Sequence, residues 1–184
     1  VVLHFDFDGS EMARIADEFG ASEKQLRYAY SRALRRTASN MKTQARKGLR
    51  VLLGLRSASE LRKRMEGFRF KAGRGSDLGG VRMWFGINDM RASAFKGRMR
   101  STDTGAEVAG RSVPGGFIAK NSKGQRTVMR RLGPRRWPIA EARIDIVDEA
   151  QRFIEDEVFD EIEAVFFKNF LAEIRARTIY EVGG

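Results

Sequence analysis

Residues 115–132 read GGFIAKNSKGQRTVMRRL. Two strand-like runs, GGFIAKN (115–121) and QRTVMRRL (125–132), flank the turn residues NSKG at 121–124, and this order predicts an antiparallel hairpin. Such a pair needs no crossover helix, so the hairpin argues against a parallel, alternating strand–helix chain. Upstream, AEVAGRSV (106–113) is a third β-like segment, separated from the hairpin by the chain-breaking Pro114-Gly115. Downstream, PIAEARIDI (138–146) alternates like a further strand; Pro138, which cannot donate to a ladder, suits its first position.

Helices bracket this β-rich middle. Ser22 and Gln25 form a capping box, and Leu26, Tyr30, Ala33, Thr37, Met41, Ala45, Leu49 and Leu52 then fall on one helical face. The spacing predicts a helix from Glu23 to about Arg50. On another face Arg32, Arg35, Arg36, Lys42, Arg46 and Arg50 make a basic stripe. Such a stripe reads either as a solvated surface or as an interface, and too few acids are interleaved for local i,i+4 neutralisation. From about Asp148 to Thr178, Ala150, Phe153, Ile154, Val158, Ile162, Val165, Phe166, Phe170, Leu171 and Ile174 keep the helical period. Glu155, Asp156 and Glu157 lie in the acidic part of that helix.

At the other end, Val1–Phe7 reads as a strand, and Ser10 is a candidate N-cap for a short helix stopped by Gly20. Residues 54–80 are punctuated by glycine, with a short helix expected over 57–64, an alternating GFRFKAG (67–73) and a flexible turn at GRGSDLGG (73–80). VRMWFGI (81–87) is a strand candidate. Residues 88–106 show no periodicity and are expected to form a long mobile loop. The class that follows is α+β, an antiparallel β-sheet packed by two long amphipathic helices, with a long polar loop. Length predicts a single domain over 1–184, divided at 1–21, 22–53, 54–147 and 148–180.

Cysteine is absent and His4 is the sole histidine. Thiolate nucleophiles, cysteine zinc sites and multi-histidine metal centres are therefore excluded, and no catalytic, metal or cofactor residue is assigned. Asp6 and Asp8, at the tip of the opening strand, have the local look of a phosphatase aspartate pair. The other carboxylates lie mostly along one helix, where they do not converge on a strand tip, so the enzyme reading stands third. No apolar run reaches the eighteen or so residues of a membrane span and no signal segment leads the chain, so the expectation is a protein of a cytoplasm-like compartment with no membrane partner.

The net charge is +11, unevenly spread. Residues 24–136 carry 29 Lys and Arg against 6 Asp and Glu, whereas 1–23 carry 1 against 6 and 137–184 carry 5 against 12. A basic middle between acidic ends fits a polyanion partner, and it equally fits acidic and basic surfaces that meet within or between chains. Non-specific DNA or RNA binding is thus the alternative that composition supports.

The segment VPGGFIAKNSKGQRTVMRRLGPRRWPIAEARIDI (113–146) resembles the minor tail protein Z family of long-tailed bacteriophages and their prophages. The family's Pro-Gly-x-Phe-Ile segment is matched by Pro114, Gly115, Phe117 and Ile118, and its glycine turn by Gly124. Val128, Met129, Arg130 and Arg131 match its Val-Met-x-Arg strand, and Trp137, Pro138 and Ile139 its aromatic-Pro-Ile strand, reached through the basic stretch that holds Arg135 and Arg136. The helix ALRRTASNMKTQARKGL (33–49) is similar to the family's early helix. The resemblance spans residues 22–178, with its specific part in 112–140; the N-terminal strand and short helix lie outside it. It implies a virion structural protein of tail completion near the head-proximal end, located in the virion tail and, during assembly, in the host bacterial cytoplasm. Its implied partners are further copies of itself in a ring and other tail or head–tail junction proteins, with non-specific contact to DNA as a further expectation.

Overall fold

The computed structural model describes residues 2–64, 69–72, 80–84 and 88–180. In chain order the elements are β1 (Val2–Asp6), α1 (Gly9–Glu18), α2 (Glu23–Leu52), α3 (Ser59–Arg64), β2 (Arg69–Ala72), β3 (Gly80–Trp84), β4 (Met90–Arg91), a 3₁₀ turn (Ala92–Ala94) and β5 (Met99–Thr102). There follow β6 (Gly105–Val108), β7 (Arg111–Pro114), β8 (Gly116–Lys120), β9 (Arg126–Arg131), β10 (Ile139–Glu141), β11 (Arg143–Ile144), α4 (Val147–Phe153), a π-helical turn (Ile154–Val158) and α5 (Ile162–Thr178). Every strand pairing among the described residues is antiparallel and long helices accompany the sheets, so the fold is α+β. The expected turn at 73–79 and the last residues of the 81–87 strand lie outside the described residues.

Length suggests one domain, but the chain folds as two compact units. The first comprises Val1–Ala45, Met65–Gly86 and Phe153–Gly184; the second comprises Arg46–Arg64 and Ile87–Arg152. The physical reason lies in α2. Its 30 residues extend about 45 Å at 1.5 Å each, more than the width of a small core, so its two ends belong to different cores.

In the first unit β1, β3 and β2 form a sheet in the order β1-β3-β2, with Leu3 opposite Met83 and Phe70 opposite Met83. The core gathers Phe7, Met12, Ile15, Tyr30, Ala33, Met41, Ile162, Phe166, Phe170 and Ile174. Phe166 is its centre: the ring stacks on Phe7 at 3.9 Å between centroids, meets Tyr30 edge-on at 5.8 Å and stacks with Phe170 at 5.8 Å. The capping box of α2 forms as its sequence predicts. The Ser22 amide donates to Gln25 Oε1 at 2.8 Å, and the Gln25 amide donates to Ser22 Oγ at 3.3 Å. For α1 the cap is Asp8 rather than Ser10: its carboxylate accepts from the Ser10 and Glu11 amides and from the Ser10 hydroxyl. These hydrogen bonds favour the ionised form and hold the Asp8 carboxyl below its ordinary value.

The expected unbroken C-terminal helix is interrupted. Its buried residues Ala150, Ile154, Val158, Ile162, Phe166, Phe170 and Ile174 recur every four positions. On a straight helix of 3.6 residues per turn, such a stripe rotates steadily off one face. The chain resets the phase with the wide π turn, where the Phe159 amide donates to the Ile154 carbonyl at 3.0 Å, and with a break before Ile162. Crowding of like charges at Glu155, Asp156, Glu157, Asp160 and Glu161 also weakens a regular helix there.

In the second unit two three-stranded meanders, β5-β6-β7 and β10-β9-β8, accompany the small β4–β11 pair. Residues 88–106, expected as a mobile loop, are instead ordered and packed. They contain β4, the 3₁₀ turn, β5 and the start of β6, and bury Met90, Ala92, Ala94, Phe95 and Met99. Their partners are distant in sequence: Leu55 bridges Phe95, and the Arg56 guanidinium donates to the Phe95 carbonyl at 2.8 Å. AEVAGRSV is a hairpin rather than one strand, because Ala109 (φ 51°) and Gly110 (φ 75°) take the double positive-φ turn that suits strand twist. PIAEARIDI likewise splits at Ala142, whose amide donates to Val128 and whose carbonyl accepts from Ala92, leaving β10 and β11 in different sheets.

Candidate functional site

The residues of the 112–140 segment converge on the β8–β9–β10 meander. Pro114 ends β7, and Gly115 (φ 67°) turns the chain into β8. The next glycine, Gly116, is held by close approach: a Cβ there would lie 2.9 Å from the Val113 carbonyl and from Val128 Cγ1. Phe117 and Ile118 are half-buried in β8, whereas Val128 and Met129 are buried in β9. Gly124 (φ 74°) closes the hairpin turn, in which Asn121 Oδ1 accepts from the Lys123 and Gln125 amides, each at 3.0 Å.

Beyond Met129 the segment turns outward. Arg130 and Arg131 are exposed at the end of β9, with the Arg131 guanidinium 5.9 Å from the Phe117 ring centroid. Arg135 and Arg136 lie in an exposed loop closed by the Leu132 amide donating to the Pro138 carbonyl at 3.0 Å. The Trp137-Pro138 peptide is cis, and Ile139 opens β10 opposite Arg131. Two large apolar side chains stand in solvent on this loop, Leu132 at 67% and Trp137 at 64% exposure.

The α2 stripe is divided in its roles. Arg36 Nη1 lies 2.9 Å from the buried Glu173 carboxylate and Arg32 Nε 3.9 Å from it, so these two residues are engaged within the first unit. Among the described residues no ion pair is formed by Arg35, Lys42 or Arg46; Arg35 is exposed and the other two half-buried. Of the acidic residues singled out in the C-terminal helix, Glu155 is half-buried, and Asp156 and Glu157 are exposed, all three on the π turn.

A cleft that the sequence does not announce lies in the second unit. Arg98, Arg100 and Arg126, with Met99, Ser101 and Ile118, line an open depression of about 450 Å³. Arg98 and Arg100 stand two residues apart at β5, and Arg126 begins β9. Among the described residues no carboxylate lines it. Glu107 is opposite Arg100 in the β5–β6 register, yet no ion pair joins them. Lys120 stands directly opposite Arg126, a like-charge pair of the kind that destabilises a ladder. The trace in the sequence is the Arg-Met-Arg alternation at 98–100, which sets two cations either side of Met99 at the start of β5.

Charge separates the two units. Counted over their full sequence ranges, the second has 21 Lys and Arg against 8 Asp and Glu, and the first 14 against 16. The surplus of +13 in one and −2 in the other accounts for the net +11. Among the described residues no group of three or more His, Asp or Glu side chains is placed to hold a metal ion, and no helix is long and apolar enough to cross a membrane. Asp8, one of the two aspartates of the phosphatase-like start, is occupied in capping α1.

Glu141 pins the candidate surface from beneath. Its Oε1 accepts from the Ser93 amide at 2.9 Å and from the buried Thr127 hydroxyl at 2.8 Å. Burial pushes this carboxyl up, but hydrogen bonds from Ser93 and Thr127 and the nearby Arg91 charge outweigh it and hold the group below its ordinary 4.5. A depressed carboxylate contributes stability that is present above the unfolded value and lost as pH falls through the lower folded value. Glu141→Ala is expected to cost about 2 kcal/mol, because the Thr127 hydroxyl and Ser93 amide lose their acceptor. Glu141→Gln should flatten the acid side of the stability curve below pH 4.5, as urea denaturation across pH would show.

No protein-family model, curated protein or solved structure matches the chain.

Proposed function

We propose that this chain is a structural protein of a bacteriophage or prophage tail, used in tail completion near the head-proximal end and acting through protein–protein contacts as a homo-oligomeric ring. The observation that carries the reading is the loop of residues 132–138, within the segment that resembles minor tail protein Z. It presents Leu132 and Trp137 to solvent among Arg130, Arg131, Arg135 and Arg136. Exposed Trp and Arg are the residue types that dominate binding energy at protein interfaces, and a monomer gains nothing from leaving an indole in water. The basic second unit adds support, since its surface on one copy and the acidic 155–161 segment of the next suit a head-to-tail contact that closes into a ring. Contact with DNA, the second class that the charge allows, is compatible with this role.

The test is genetic and physical. Tails assembled without the protein should be near complete in shape yet poorly infectious, and normal infectivity would sink the assignment. Charge reversal of Glu155, Asp156 and Glu157 to lysine should lower the mass of the purified oligomer while helix content is retained. An unchanged mass would remove the head-to-tail arrangement through that segment.

A further inference from the structure

We propose that the Arg98–Arg100–Arg126 cleft binds the phosphodiester backbone of a nucleic acid without reading its bases. The inference goes beyond the tail assignment and holds whether or not that assignment stands. Among the described residues the charged groups of the lining are three guanidiniums, whose planar forks match phosphate oxygens. Arg100 comes from β5, Arg98 directly precedes that strand and Arg126 begins β9, so the two meanders fix the backbone positions from which the three side chains extend.

Three observations narrow the ligand to a polyanion. Among the described residues no carboxylate lines the cleft and no ion pair engages its three arginines. The like-charge pair Lys120 and Arg126 is set directly across the hairpin, where a negative group between or above the two would relieve its repulsion. The depression is open, and the exposed Lys123 and Arg130 continue the positive surface along the same hairpin, which suits a chain of phosphates better than one small anion. Among the described residues the lining contains no aromatic ring on which a base could stack, so contact is with the backbone and is sequence-tolerant.

A strongly basic protein retains DNA diffusely, so the test must separate this site from net charge. Binding of labelled duplex DNA, single-stranded DNA and RNA is followed by fluorescence anisotropy between 50 and 200 mM salt. The wild type is compared with Arg98→Ala/Arg100→Ala/Arg126→Ala and with a charge-matched Lys24→Ala/Lys47→Ala/Lys168→Ala variant. All six residues are exposed, and circular dichroism melting of each variant verifies folding. Loss of three phosphate contacts should lower the magnitude of the duplex log–log salt slope by roughly 2.7, while the lysine variant moves it by less than about 1. Whichever polymer binds tightest at matched salt identifies the source of the phosphates. Equal changes in the two variants, or no binding of any polymer, overturn the proposal. Binding of poly-glutamate that the cleft variant loses would overturn it too, and would reassign the cleft to an acidic protein partner.

Discussion

Glu173→Ala is expected to destabilise the first unit by about 3–5 kcal/mol, the range for removing one partner of a buried ion pair. Glu173 is 4% exposed on α5, and its carboxylate is shared by Arg177 one turn on and by Arg36 of α2, with Arg32 at 3.9 Å. The side chain of Arg177 is only 11% exposed, so without the carboxylate a charge stays buried with no counter-ion. Arg36 and Arg32 are more than half exposed and add little, so Arg36→Ala should cost below about 1 kcal/mol. Replacing both members, Glu173→Met with Arg177→Met, should recover much of the loss, because the desolvation cost vanishes with the charges. Hydrogen exchange of the α5 amides measures these effects locally. A Glu173→Ala variant with unchanged α5 protection would show that the network is incidental.

Phe166→Ala should cost a similar 3–5 kcal/mol, for a different reason. The side chain is fully buried, and its ring contacts Phe7, Tyr30, Phe167 and Phe170. These partners come from the strand–helix junction after β1, from α2 and from α5 itself, so one ring joins three elements. Truncation removes the apolar transfer energy of the ring and leaves a cavity that four aromatic neighbours cannot collapse into without leaving their rotamers. Phe166→Leu fills part of that space and should cost clearly less. The reading predicts loss of exchange protection in both α1 and α5. Loss confined to α5 would mean that the stack on Phe7 does not anchor the N-terminal segment.

How much was legible depended on whether a feature was local. The capping box at Ser22 and Gln25 and the apolar face of α2 are set by residues three and four apart, and they appear as read. So does the 116–131 hairpin, because its turn and flanking strands are contiguous. The ordered 88–106 segment was not legible. It has no period because its buried residues pack singly in very short strands and a 3₁₀ turn, against partners such as Leu55 more than thirty positions away. The cap on α1 is Asp8, two residues before the expected Ser10, because aspartate and serine both accept from helix amides and only the backbone geometry at Asp8 selects between them.

The candidate surfaces divide in the same manner. Arg130, Arg131, Arg135, Arg136 and the Pro114–Ile139 pattern could be singled out because they are close in sequence. The cleft could not, since Arg126 reaches Arg98 and Arg100 only after three hairpin connections have brought β9 and β5 together. The α2 stripe looked uniform from its spacing, yet Arg32 and Arg36 meet Glu173 while Arg35 does not.

By itself the amino-acid order determined the α+β class, the capped helix that starts at Glu23, the central hairpin and the excess of positive charge in the middle of the chain. These follow from periodicity, turn chemistry and counting, which act over a few residues. Only the tertiary structure decided that the chain makes two units, that the C-terminal helix breaks at a π turn, which arginines are neutralised by Glu173, and which are left lining a cleft. Those outcomes depend on which distant side chains share a core or face one another across strands, and the free energy of such contacts is set by burial and geometry that no local pattern encodes.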